Sequence, residues 1–110
     1  MPYSALNVRN SLIYELTSEY NKKLLVNDKK EIIETYNCLE TKFPNISNDA
    51  CSLASKTLYK NVKESLSECK PLIEALKQRN LNTFEKIDLS NKLASAFIGM
   101  SLLPAAKFSD

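Results

Sequence analysis

Asp28-Lys29-Lys30-Glu31-Ile32-Ile33-Glu34-Thr35-Tyr36-Asn37-Cys38-Leu39-Glu40-Thr41-Lys42-Phe43-Pro44 holds a start, a period and a stop. Asp28 followed three residues later by Glu31 is a capping-box-like opening. Ile32, Ile33, Tyr36, Leu39 and Phe43 recur at the spacing that gathers side chains on one side of a helix. Pro44 has no N–H to continue the hydrogen-bond ladder. The segment reads as one amphipathic helix that must hide its apolar side against other elements.

The flanking sequence supplies them. On the N-terminal side, Ser4 is placed to cap a helix whose stripe is Val8, Leu12, Leu16, Tyr20 and Leu24, widened by Leu6 and Ile13. Asn27 and Asp28 interrupt that run, and so short a link implies antiparallel neighbours. On the C-terminal side, Ser47, Asn48 and Asp49 are capping residues for a helix with a lighter inner face: Ala50 or Cys51, Ala54, Leu58, Val62 and on to Leu66. Pro71 argues against a continuous rod, so a break is expected near Glu64 to Ser67. Ser67 would then cap a further helix carrying Leu72, Ile73, Ala75 and Leu76. Gln78 to Asn80 is a polar junction. Asn82 and Glu85 repeat the cap-plus-three spacing. The last helix carries Phe84, Ile87, Leu93, Ala94, Phe97, Ile98 and Met100, and is expected to end between Gly99 and Leu103, before Pro104.

The fold expected is all-α: an antiparallel four-helix bundle of four to five helices, one domain over residues 1–110, with a tail (104–110) packed on or near the bundle. Composition agrees. A single glycine and four prolines among 110 residues cannot serve the many tight turns of a β-sandwich. Hydrophobic residues at 44% and charged residues at 25% are usual for a globular domain.

Composition also narrows the chemistry. The chain has no histidine, the commonest general base and metal ligand, so a Ser-His-Asp device is excluded. Ser55 with Lys56, and Ser90 with Lys92, are neighbours in sequence and read as helix surface. Glu31 with Glu34, and Glu64 with Glu68, have lysines beside them and read as surface ion pairs. One glycine cannot build a phosphate loop. No enzyme activity, metal or cofactor is expected. A formal charge of +2 is too mild for a nucleic-acid surface. Cys38, Cys51 and Cys69 match no zinc spacing, and read as reduced thiols of a cytoplasmic protein in preference to a Cys38–Cys51 staple. No signal peptide is read at the start, and Leu93 to Leu103 is too short to span a bilayer.

Two features point to binding. Lys56, Lys60 and Lys63 fall on one helix face, which could meet an anionic membrane surface or simply be solvated, the plainer reading. The C-terminal run from Phe97 to Pro104, continuing through Ala105, Ala106, Lys107 and Phe108, is strongly apolar. It should either cover the bundle, with Phe108 as plug, or present a surface to a partner. Phe97, Met100, Leu103, Lys107 and Phe108 are the candidate contact residues.

Three stretches carry a resemblance: Ser11 to Tyr20, Ile73 to Lys86, and Leu93 to Pro104 with its aromatic-ended tail. They resemble the immunity proteins of pediocin-like (class IIa) bacteriocins, small cytoplasmic four-helix bundles of Gram-positive bacteria. The resemblance implies protection of the producing cell. Such proteins act from the cytoplasm, at the inner face of the membrane, on the complex of bacteriocin with the mannose phosphotransferase permease. It also implies that the C-terminal half, Ser65 through Asp110, selects the bacteriocin. A monomer is expected. The alternative is an intracellular helical adaptor: Leu72 to Leu89 is also similar to the helical C-terminal domain of the steroid receptor RNA activator protein.

Overall fold

The computed structural model describes residues 5–49 and 51–103, with the side chains of the first two of these left aside. The expected Ser4 cap, the Leu6 and Ala50 side chains and the 104–110 tail, with Lys107 and Phe108, lie outside the described residues. Among those described there is no strand. Four helices are present: α1 (Ala5–Leu25), α2 (Lys29–Lys42), α3 (Leu53–Gln78) and α4 (Thr83–Leu102). A single 3-10 turn, Phe43–Asn45, follows α2 where Pro44 ends the ladder.

The joints follow from local chemistry. Asn27 sits at φ 62, a left-handed conformation that asparagine tolerates better than most residues. Asp28 N–H reaches back to Lys23 O at 2.8 Å and Asn27 N–H to Leu24 O at 3.2 Å, which is the Schellman closure of a helix end. At the α3–α4 joint the expected capping box forms. Glu85 N–H donates to Asn82 Oδ1 at 2.8 Å and Asn82 N–H donates to Glu85 Oε1 at 3.0 Å. Arg79 then grips the same carboxylate with two nitrogens, each at 2.9 Å.

That grip sets a pH dependence. The Arg79 guanidinium, followed by the Asn82 N–H, pulls the Glu85 carboxyl down to about 2 from its ordinary 4.5. A depressed carboxyl stabilises the fold above its unfolded value, and the contribution disappears as pH falls from about 4.5 to about 2. Glu85→Gln should therefore lower stability at pH 7 and flatten the acid limb between those values. Urea midpoints measured across pH 2–7 check this, and parallel curves for both proteins would contradict it.

The capping box expected at Asp28 does not form. Asp28 takes the N-cap position of α2 without a side-chain cap bond. Glu31 is drawn to Lys23 of α1 instead, at 2.7 Å. Two further expectations are corrected. Helix 3 does not break: α3 runs unbroken through Pro71, giving four helices and not five. The carbonyl that Pro71 leaves without a partner belongs to Ser67, and both residues are on the water side. Val62, Leu66, Cys69, Ile73 and Leu76 meanwhile hold the opposite side in the core across the proline. The cap of α3 is Ser52, whose Oγ accepts from Ser55 N–H at 3.2 Å, later than the expected Ser47–Asp49.

The second correction concerns which sides are buried. Tyr20 and Leu24 are in the core, but Val8 and Leu12 are exposed. A four-residue step overshoots a 3.6-residue turn by about 40°, so a strict repeat of four drifts off its face within a few turns. In α4, Phe84 and Ile87 are exposed, while Leu89, Leu93, Ala96, Met100 and Leu103 are buried at steps of four and three.

The α2–α3 pair is antiparallel, because Lys29 Nζ at the start of α2 donates to Leu76 O near the end of α3 at 3.1 Å. The short joints make α1 antiparallel to α2 and α4 antiparallel to α3. Helix α4 lies between α1 and α3 and packs on both; α2 lies across the three. The molecule is correspondingly flat, 40 × 36 × 23 Å, the thin dimension matching two layers of helices. Close approach depends on small residues of α4. A Cβ on Gly99 would stand 2.7 Å from Val62 Cγ2 of α3.

Candidate functional site

The structure separates the expected contact residues. Met100 and Leu103 are buried, so neither meets a partner while the bundle is closed. Leu102 is the exposed apolar residue at that end of α4. Phe97 is different. Its half-buried ring forms the floor of a groove beside α2, a cavity of about 250 Å3 lined also by Glu31, Glu34, Thr35, Cys38 and Leu39. Toward the end of α2 lies a wider depression of about 480 Å3, sharing Glu34 and Cys38 and adding Asn37, Thr41, Lys42 and Asn45.

The groove lies where α2 passes Phe97 of α4, and α1 is tied to α2 at one end of it. The Lys23–Glu31 pair holds them together near their loop. Three turns nearer the start of α1, on the flank that carries Lys23, Leu12 is exposed, with Val8 beside it. Leu12 and Val8 line a shallow depression with Asn7, Ser11 and Glu15. An apolar floor with a rim of Glu31, Glu34 and Lys42 has the ingredients of a surface that takes a peptide segment. The sequence offered no direct sign of it. Thr35 and Cys38 lie on the polar side of α2, and only their position beside Phe97 gives them a role; Thr41 lines the neighbouring depression.

The lysine face is placed as expected and is longer than expected. Lys56, Lys60 and Lys63 are all exposed on α3, and because the helix is continuous, Lys70 extends the same side two turns further. Lys63 and Lys70 border a cavity of about 290 Å3 with Tyr36, Glu40, Phe43, Leu66 and Ser67. Burial, followed by the nearby Glu40 carboxylate, pushes the Tyr36 phenol up to about 12, so it stays a neutral donor there.

The other polar groups are engaged structurally. Lys92 pairs with Asp88 one turn away and with Glu68 of α3 at 3.5 Å. Ser90 is buried with its Oγ unpartnered, separate from that lysine. Ser55 Oγ accepts from Ser52, and Lys56 is exposed. Lys30 meets Glu34 at 4.0 Å. Among the described residues no three histidines, cysteines or carboxylates come together to hold a metal.

The three cysteines differ in accessibility. Burial pushes the Cys69 thiol up to about 12, which suppresses the nucleophilic thiolate. Cys51 is buried and donates to Ser47 O at 3.5 Å. Cys38 is exposed in the groove wall. Iodoacetamide should modify one thiol of the native chain, Cys38, and three after denaturation. Peptide mass spectrometry counts them, and native modification at Cys69 would contradict the packing.

Against known proteins, the chain matches no family model, no curated protein and no solved structure. Among the described residues no helix is long and apolar enough to cross a membrane.

Proposed function

We propose that this chain is a non-catalytic binding protein that holds a segment of another protein in the groove above Phe97. Its role would be bacteriocin immunity: binding, from the cytoplasm, the complex of a pediocin-like bacteriocin with the mannose phosphotransferase permease. The groove carries the binding half of this reading, since it joins a half-buried aromatic floor from α4 to a polar rim on α2. The resemblance of Ser11 to Tyr20, Ile73 to Lys86 and Leu93 to Pro104 carries the immunity half. The lysines of α3 would favour a position near an anionic membrane surface, each adding about 1 kcal/mol.

The test is expression in a bacteriocin-sensitive strain, followed by challenge with a panel of pediocin-like peptides. Survival against one peptide is the expected result. Cys38→Arg fills the groove from an exposed position and should abolish protection with helicity retained. Truncation after Leu103 should do the same. Undiminished protection by the arginine variant would remove the groove from the proposal. Failure of the intact chain against every peptide would leave the adaptor reading, in which the partner is an intracellular scaffold.

A further inference from the structure

The side of the molecule turned away from α2 has an unusual composition. On α4, Phe84, Ile87, Asn91, Ser95, Ile98 and Leu102 follow one another at steps of three and four, so they share one face. Phe84 (77% exposed), Ile87, Asn91 and Leu102 are open to solvent, and Ser95 and Ile98 are half-buried. Lys23, paired with Glu31, marks the side of α1 that faces α2. Tyr14 (76% exposed), Ser18 and Leu25 lie on the opposite side of α1, a helix that packs along α4. None of these nine residues is charged, although a quarter of the chain is. Charged groups border the stripe, with half-buried Asp88 one turn from Phe84 and exposed Lys22 one turn from Ser18, and an apolar centre inside a charged rim is the composition of an interface.

We infer, in place of the monomer expected from the sequence, that this face is a homodimer interface, in which two copies pack α4 against α4 in antiparallel fashion across a two-fold axis. The stripe fits itself when reversed. Two large apolar residues stand at each end, Phe84 and Ile87 at one and Ile98 and Leu102 at the other. Asn91 and Ser95 fill the middle. A two-fold axis between Asn91 and Ser95 sets each apolar end against the other copy's opposite end. It also brings the central amides and hydroxyls together, where they satisfy one another. The electrostatics are complementary, since antiparallel pairing puts the positive N-terminus of α4 beside its partner's negative C-terminus. The broad side of the molecule, 40 × 36 Å, is larger than the about 800 Å2 per copy that a stable interface needs. The groove above Phe97 and the α3 lysines stay outside this contact, so the dimer is independent of the reading proposed above and would display two grooves.

Sedimentation equilibrium of the full chain should give about 25 kDa, twice the chain's 12.4 kDa. Asn91→Arg sets two guanidinium groups against each other at the axis and should raise the dissociation constant on the order of 100-fold. Asn91 is exposed, so helical circular dichroism should not change. Lys60→Glu, on α3 outside this face, should leave the dimer intact. Independently, an equimolar mixture of Asn91→Cys and Ser95→Cys chains, both in a Cys38→Ser background, should oxidise to a disulfide-linked dimer containing one of each, whereas Lys60→Cys in that background should not. A monomer at up to about 100 μM overturns the inference. So does a dimer indifferent to both Asn91→Arg and Ile87→Lys, or a monomer that binds lipid vesicles through Phe84.

Discussion

Leu93→Ala is expected to destabilise the fold by about 3–4 kcal/mol, among the largest losses that one truncation in this chain can produce. Leu93 is fully buried near the middle of α4, the helix that packs on both α1 and α3. Removing its isobutyl group forfeits the transfer free energy and leaves a void at the junction of helices. The backbone cannot close that void easily, since α4 is already in close contact through Gly99 and Val62. A loss of this size is a large part of the stability of a domain this small, and the melting temperature should fall by on the order of 10–20 °C. Urea titration followed by helical circular dichroism measures it, with an unchanged slope if the unfolded state is unaffected. Leu53→Ala is the comparison. Leu53 is 88% exposed, and its truncation should change stability by less than about 0.5 kcal/mol. Equal effects at both positions would mean that α4 is not the centre of the core.

Helix content and the α3–α4 joint were legible because they rest on chemistry within a few residues, whereas the box expected at Asp28, the cap expected at Ser47–Asp49 and the break expected near Ser67 did not form. Asn82 and Glu85 needed only each other, and their box formed as expected. The α1–α2 turn was marked by Asn27 and closed by backbone bonds alone. Which side of α4 faces inward was less legible. Both sides carry large apolar residues, and hydrophobicity alone favoured Phe84 and Ile87, which are exposed. The inner side is marked by small residues as much as by large ones: Ser90, Ala94, Ala96 and Gly99 are all buried. Helices approach closely where side chains are small, so the most central helix, apolar on its outer side as well, showed little contrast between its two sides. The groove was illegible for a related reason. Phe97 read as one more apolar residue of the last helix, and nothing near it in sequence showed that Thr35 and Cys38 of α2 would line a groove with it. Met100 and Leu103, its companions in the sequence reading, turned inward with the heptad steps from Leu89.

Pro71→Ala should raise stability by about 1–2.5 kcal/mol. Proline in a helix interior is worth roughly 3 kcal/mol less than alanine, because it lacks the N–H and crowds the carbonyl four residues earlier. In α3 that carbonyl belongs to Ser67, and alanine would give it an intrahelical donor. Pro71 is exposed, so the substitution empties no part of the core. An opposing effect comes from the unfolded chain, which proline restricts and alanine frees, worth about 0.4–1 kcal/mol. The helical gain is the larger of the two, hence the sign. Pro71→Gly also restores the N–H, but glycine is about 1 kcal/mol worse than alanine in a helix, so its gain should be smaller. The order alanine above glycine is specific to a helical position. If α3 instead ended before Pro71, with the proline in the first turn of a new helix, it would be well placed there. Both substitutions would then lower stability, and that outcome would restore the break near Ser67 that the continuous buried side from Val62 to Leu76 contradicts.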